Sequence, residues 1–196
     1  LVGEVLDLAR LERGEQLFLM ERGRVSEIAS RAADVMKPLM DEKQLIIVFD
    51  HATPAATLVC DHDKIVQVIT NLLSNAVKFT PAGKTITLHT HISDEDSGPQ
   101  AVISVADEGM GIPEGEEELI FESFRQSSLT NTGAGGTGLG LAISRGIVAA
   151  HGGRIWAEGN VAGQGTCVTL VIPALAQEGK RLVTMNTRGG HHEHAA

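Results

Sequence analysis

At 196 residues, with 42% hydrophobic residues and charges of both signs, the chain can build one well-cored domain plus an extra element, and its composition is not that of a disordered protein. A formal charge of -9 disfavours nonspecific nucleic-acid binding, which phosphate neutralisation drives, but remains compatible with a nucleotide that carries its own metal ion. Cys60 and Cys167 stand far apart without CxxC spacing, and no apolar run approaches the ~20 residues of a membrane span. Neither a zinc site nor a disulfide framework is indicated, no membrane-spanning run is present, and a reducing, cytoplasmic setting fits best.

Val2, Val5, Leu6 and Ala9, flanked by Leu8 and Leu11, form an apolar stripe at helical spacing that stops near Gly14. A helix so short needs a partner, and because the chain opens inside this pattern without a methionine or a signal-peptide pattern, it reads as a piece of something longer. The spacing predicts a second helix from Ser26 to Glu42, with Ser26 as N-cap, Ile28, Ala32, Val35, Met36 and Leu39 facing inward, and Pro38 as a bending point. Leu45 to Phe49 and Leu58 to Cys60 are β-rich runs, Asp63 to Phe79 is helical, and Thr80-Pro81-Ala82-Gly83 ends that helix.

Thr85 to Ile92 alternates, with Ile86, Leu88 and Ile92 on one face and His89 and His91 on the other, as a half-buried strand does. A polar loop, Ser93 to Gln100, leads to a second strand, Ala101 to Ala106, in a hairpin-like pair. Asp107 to Gly136 is glycine-rich and polar, with one short helical candidate near Glu116 to Phe121, and a segment of this length inside a domain reads as either a functional lid or a disordered stretch. Leu139 to Ala150 is helical and His151-Gly152-Gly153 closes it. Arg154 to Glu158 and Thr166 to Ile172 are the last strands, Pro173 stops the second, and Ala174 to Ala196 lacks a core pattern and reads as a tail.

Chemistry is concentrated in the helix that ends at Phe79. Asn71, Asn75 and Lys78 lie at i, i+4 and i+7 and so stack on one face, while Ile65, Val68, Ile69, Leu72, Leu73, Ala76 and Val77 form a wide apolar face. Asparagine competes for backbone hydrogen bonds and is a poor helix-interior residue, so two in register beside a cation point to a bound polar group. The lysine suits a phosphate, and an amide oxygen suits Mg²⁺, which keeps several waters and takes few protein ligands.

Three further pieces follow in order. Asp107-Glu108-Gly109-Met110-Gly111-Ile112-Pro113 comes off a strand with a carboxylate suited to an exocyclic amine and two glycines that let backbone approach a ligand. Phe121-Glu122-Ser123-Phe124 places two aromatics in polar sequence, where they can pin a loop to the core. Gly133-Ala134-Gly135-Gly136-Thr137-Gly138-Leu139-Gly140-Leu141 runs directly into a helix, whose free N–H groups and dipole favour a phosphate. Gly133, Gly135 and Gly138 also match GxGxxG, with Glu158 ~20 residues further on, but the preceding Arg125 to Thr132 is polar and supplies no first strand for a dinucleotide unit. The P-loop pattern GxxxxGK[ST] is absent.

In this order the four pieces resemble the catalytic, ATP-binding domain of bacterial sensor histidine kinases, within the Bergerat-fold ATPase superfamily. Asn71 to Phe79 resembles the N box, Asp107 to Gly111 the G1 box, Phe121 to Phe124 the F box and Gly136 to Leu141 the G2 box. Asp61-His62-Asp63 and His151-Gly152-Gly153 extend the resemblance, and Leu6 to Glu12 is similar to the end of the second helix of the dimerisation hairpin. The resemblance implies that Asn75 coordinates Mg²⁺, that Asn71 and Lys78 hold the phosphate region, and that Phe79 packs on the nucleotide. It further implies that Asp107 accepts from the adenine amine, that Gly109, Gly111 and Ile112 shape the base pocket, and that Gly136, Thr137, Gly138, Leu139, Gly140 and Leu141 form the phosphate-facing lid end. An arginine often found after the F box is replaced by Gln126, with Arg125 one position earlier, and which of them faces the γ-phosphate stays open.

The expected architecture is α+β, a two-layer α/β sandwich with a mixed sheet covered on one face by helices. Residues 1–24 are expected to be hairpin end and linker, 25–176 the ATP-binding domain and 177–196 a flexible tail. The expected work is to position Mg-ATP for in-line transfer to a histidine on a dimerisation helix absent from this chain, Asn71, Lys78 and Arg125 acting on the transferred group. His192-Glu193 in the tail lacks the flanking sequence of a phosphoacceptor, so the chain is expected to bind ATP but barely transfer it. Expected partners are the hairpin, a response regulator and, in the full-length parent, a second copy. Two rivals stand beside this reading. ATP-driven clamps of the same superfamily, such as gyrase B and MutL, place a glutamate base where Asn71 stands, and a transfer-inactive interaction module leaves the G1 and G2 glycines without a purpose.

Overall fold

A computed structural model of the chain describes residues 2–53, 56–95, 98–129, 136–160 and 164–175. In chain order its elements are α1 (Val2–Glu12), β1 (Glu21–Arg24), α2 (Val25–Glu42), β2 (Ile46–His51), β3 (Thr57–Cys60), α3 (His62–Phe79), β4 (Thr85–Glu95), β5 (Gly98–Asp107), α4 (Gly140–Ala150), β6 (Arg154–Gly159) and β7 (Thr166–Pro173). Alternate residues of β4, Ile86, Leu88 and Thr90, are buried, whereas His89 and His91 stay half-exposed on the opposite face. Antiparallel pairing puts Leu88 opposite Val105 and Thr90 opposite Ile103, so the apolar stripes of β4 and β5 share one face. The full sheet runs β2-β4-β5-β7-β6, with β2 parallel to β4 and the other pairs antiparallel. Among the described residues the helices pack on the stripe side, which gives the mixed sheet covered on one face that the sequence predicts.

α3 is the central helix of that layer. Ile65, Ile69, Leu72 and Leu73 are fully buried against Ile86, Leu88, Ile103 and Leu170 of the sheet, with α2 and α4 on either flank. Its start is well capped, because the Asp61 carboxylate accepts from the Lys64 N–H at 3.0 Å. Its end is tied by Lys43, whose Nζ donates to the Val77 and Lys78 carbonyls at 2.6 and 3.0 Å and so satisfies groups that the last turn leaves open.

Several local expectations are corrected. α2 starts at Val25, with Arg24 rather than Ser26 at its N-cap and no side-chain cap at all. The chain enters the helix straight from β1, a strand the sequence pattern does not reveal, which pairs antiparallel with β3. The Val25 N–H, one of the helix's open donors, is satisfied by the Ala56 carbonyl instead. Val35 and Leu39 face outward at 60% and 49% exposure, while Val25, Ile28, Ala29, Ala32, Ala33, Met36 and Met40 are buried. The three alanines let α2 lie close to α3, and this turns the buried stripe away from the bulkier Val35 and Leu39. The helix runs on past Pro38 to Glu42.

β4 and β5 extend into the predicted polar loop as far as Glu95 and Gly98. The helical candidate near Glu116 to Phe121 is only a 3-10 turn, Leu119–Phe121. Ala174 bridges to Leu58, and Leu175 donates to the Thr57 carbonyl, so these two residues belong to the fold rather than to a tail. The remaining tail, with His192-Glu193, lies outside the described residues, as do Gly133 to Gly135.

Removing a large buried side chain from the central helix should be costly. Leu73→Ala is expected to destabilise the domain by about 3 kcal/mol, the lost transfer energy plus the cavity, and Val35→Ser to change stability by no more than about 0.5 kcal/mol. Urea unfolding followed by circular dichroism checks both, and a costly Val35→Ser would mean that its face is covered in solution.

Candidate functional site

A cavity of about 390 Å³ opens between α3, the ends of β5 and β7, and the segment before α4. Its size lies within the range of small-ligand sites. Asn71, Asn75, Lys78 and Phe79 line it from α3, Asp107, Gly111 and Ile112 from the end of β5 onward, and Gly136, Thr137, Gly138, Gly140 and Leu141 from the far side. Arg125 and Gln126 also face it. Two predicted residues do not. Gly109 borders a separate neighbouring hollow, and Leu139 is fully buried in the core, where its backbone N–H bonds to Thr137 Oγ1 at 3.3 Å.

The helical period explains the α3 wall. The polar triad lies away from the most buried line of the helix, so burying Ile65, Ile69 and Leu73 in the core turns Asn71, Asn75 and Lys78 toward the cavity. Asn71 is further fixed from outside the helix, since its Nδ2 donates to Ser144 Oγ of α4 at 3.0 Å. Gly140 is required by the same approach, because a Cβ there would collide with the Asn71 Oδ1. Lys78 Nζ lies 4.7 Å from the Phe79 ring centroid and 3.5 Å from where a Cβ on Gly136 would sit.

Asp107 ends β5 and is buried. Its Oδ1 accepts from the Gly109 N–H at 2.7 Å and the Thr166 N–H at 3.2 Å, while Oδ2 takes no hydrogen bond from the described residues. Burial pushes this carboxyl above its ordinary value, against the pull of the two N–H groups. Gly165, at φ 134°, lies so close to the Asp107 carbonyl that any Cβ would overlap it. The Asn160 side chain donates to that carbonyl at 2.7 Å.

On the opposite wall the segment before α4 is tied to residues 124–126 by two bonds. The Phe124 N–H donates to the Gly138 carbonyl at 2.9 Å, and Gln126 Nε2 donates to the Gly136 carbonyl at 2.7 Å. Arg125 pairs with Glu122 at 3.1 Å, and Arg145 of α4 stacks over the Phe121 ring while bonding Glu118. The cavity therefore has an N–H-rich end at the start of α4, beside a lysine and two amides, and a carboxylate at its other side.

Sequence reading missed Ser144, Thr166, Asn160, Met110 and Glu4, all of which line the cavity or brace it. Ser144 had a signal, since it interrupts the apolar stripe of Leu141, Ile143, Ile147 and Val148. Thr166 had none, because only the pairing of β5 with β7 brings it beside Asp107.

Residues 60–176 match the family described as Histidine kinase-, DNA gyrase B-, and HSP90-like ATPase, and the chain belongs to that family. Within the family its domain is the ATP-binding catalytic part of the histidine-kinase type. The chain is 34% identical over 174 residues to the sensor histidine kinase WalK of Bacillus subtilis, covering 88% of this chain and 28% of that protein. A structure of full-length ShkA in complex with AMPPNP superposes with a TM-score of 0.76 at 31% identity, covering 90% of this chain and 35% of that one. The mycobacterial sensor histidine kinase MprB superposes with a TM-score of 0.67 at 26% identity, covering 80% of this chain and 98% of the MprB chain. This chain thus spans only part of WalK and ShkA. Among the described residues no helix is long and apolar enough to cross a membrane.

The raised Asp107 pKa carries a stability prediction. The fold favours the protonated acid, so this contribution is fully present below the ordinary value of 3.8 and is lost as the pH rises through the folded value. At pH 7 the ionised group is a cost, and Asp107→Asn, which keeps an oxygen for the two N–H groups, should melt at a higher temperature than the parent chain. The advantage should shrink as the pH falls toward 3.8. Thermal unfolding across a pH series checks this, and a variant that melts lower at pH 7 would show that the charge is more valuable to the N–H groups than burial is costly to it.

Proposed function

We propose that the cavity holds Mg-ATP and presents its γ-phosphate for in-line transfer to a histidine on a helical hairpin of the same parent protein. One observation carries this reading. The polar face of α3 and the segment before α4 converge on one end of a cavity whose other side offers Asp107 Oδ2, which takes no hydrogen bond from the described residues. In this reading Asp107, braced by the Gly109 N–H, accepts from the adenine amine, Gly111 and Ile112 shape the space around the base, and Phe79 packs on the nucleotide. Asn71 and Lys78 hold the phosphates together with N–H groups of Gly136, Thr137, Gly138, Gly140 and Leu141, the Leu139 N–H being bonded to Thr137.

Arg125 is assigned to the γ-phosphate, because it lines the cavity and its Glu122 partner is exposed, whereas the Gln126 amide is engaged with Gly136. The donor chemistry fits a magnesium ion that arrives with the phosphates. Among the described residues no three His, Cys, Asp or Glu side chains converge on a metal site, and an amide oxygen such as that of Asn75 is an acceptable single protein ligand. When bound, Mg²⁺ supplies charge compensation on the transferred group. Asn71 is unsuited to activating water for hydrolysis, since an amide does not take up a proton at neutral pH, while the second N–H of its NH₂ group, beyond the one given to Ser144, can still donate to a phosphate.

For the whole protein we infer a cytoplasmic kinase domain, dimerisation through the hairpin of which α1 is the end, and a response regulator as the final acceptor. Asn75→Ala should abolish Mg-dependent nucleotide binding while the circular dichroism spectrum is retained, and unchanged affinity in calorimetry would overturn the metal assignment. Transfer itself is read by mixing the chain with labelled ATP and a hairpin fragment of its parent. Acid-labile, base-stable label on the hairpin is expected, and its absence would leave an ATP-binding module without kinase activity.

A further inference from the structure

Two sequence motifs, Asp61-His62-Asp63 and His151-Gly152-Gly153, take no part in the cavity, yet their first residues meet. The Asp61 N–H donates to His151 Nε2 at 3.0 Å, and His151 Nδ1 lies 2.7 Å from the Ile147 carbonyl. A carbonyl can only accept, so the proton sits on Nδ1, and Nε2 is left as the acceptor that Asp61 uses. Both residues are buried polar groups with every one of these bonds satisfied.

What the pair holds is the segment between α1 and β1. Leu17 and Leu19 of that segment project into solvent, while Phe18 turns inward and meets the His151 ring edge-on at 5.0 Å. The Leu19 N–H donates to Asp61 Oδ2 at 2.9 Å, and the other carboxylate oxygen caps α3. Across residues 16–20 this is the one hydrogen bond to the body of the domain among the described residues. Upstream of it, α1 lies along α4, with Leu11 packed where Gly146 leaves room and Glu4 at 3.4 Å from Thr137 in the segment before α4. Thus α4 has a cavity wall at its start and His151 at its end, and α1 lies along it upstream of the attachment at Phe18 and Leu19.

We propose that Asp61 and His151 are positioning residues that latch the interhelical linker to the ATP-binding domain, and so set the angle at which α1 presents this domain to its phosphoacceptor. The latch touches neither the nucleotide cavity nor α1 directly. Its consequence for phosphoryl transfer rests on the function proposed above, but its geometry does not.

Asp61→Asn separates the two jobs of the carboxylate. Asparagine is as good an N-cap as aspartate, yet it has one acceptor oxygen, so with the cap kept the NH₂ group faces the Leu19 N–H and the latch is lost. The test uses this chain without nucleotide, with nitroxide labels on the exposed positions Leu6→Cys and Val35→Cys in a Cys167→Ser background, Cys60 being fully buried. Pulsed electron resonance should give one narrow distance in the parent and a broad distribution in both Asp61→Asn and His151→Ala. Hydrogen exchange at the Leu19 amide should accelerate in both, which supplies a second readout if one variant folds poorly. An unchanged narrow distance in a folded Asp61→Asn chain overturns the latch. In the full-length parent, Asp61→Asn should alter kcat for transfer and leave KM for ATP in place, and a change confined to KM overturns the positioning role. Because the distances need no nucleotide, a failure of the kinase reading would not alter their outcome.

Discussion

The apolar face of α3 can be buried against the sheet in only one rotational setting, because Ile65, Ile69, Leu72 and Leu73 must all leave water together. With successive residues ~100° apart, that setting also decides where Asn71, Asn75 and Lys78 point. The site is therefore not added to the core but is the other side of it. Asp61 holds one end of the helix and Lys43 the other, so the polar triad has little freedom to rotate or slide.

A second constraint is close approach of backbone. α4 can come near enough to α3 for Ser144 to bond Asn71 only because position 140 has no side chain. Gly165 does the same on the opposite side, where it lets the start of β7 reach Asp107 and supply the Thr166 N–H. The cavity walls are thus set by where backbone lacks Cβ atoms, and the carboxylate and amides are held by bonds from neighbouring elements rather than by their own. In this arrangement the segment before α4, the start of α4 and the start of α1 form one connected wall.

Much of this was legible beforehand for a definite reason. The polar face of α3 follows from a 3.6-residue period, β4 from the alternation of its apolar residues, and the close approach of backbone at Gly138 and Gly140 from a glycine-rich stretch that runs into a helix. The failures have equally definite causes. β1, with the sequence Glu21-Arg22-Gly23-Arg24, has no strand propensity of its own and exists because β3 offers it a partner. The outward turn of Val35 and Leu39 depends on how closely Ala29, Ala32 and Ala33 allow α2 to approach α3, and a pattern of apolar spacing does not contain that distance.

Local sequence by itself therefore determined which helix carries the polar triad, that β4 alternates and where glycine permits a close approach of backbone, since each depends on residues a few positions apart. Only the tertiary structure decided that Ser144 would hold Asn71, that Thr166 would brace Asp107, and that Asp61 and His151 would clasp the linker to α1. These pairs are separated by 73, 59 and 90 residues, and their meeting is set by the order and register of the sheet and the packing of α3 on α4, which no local period encodes.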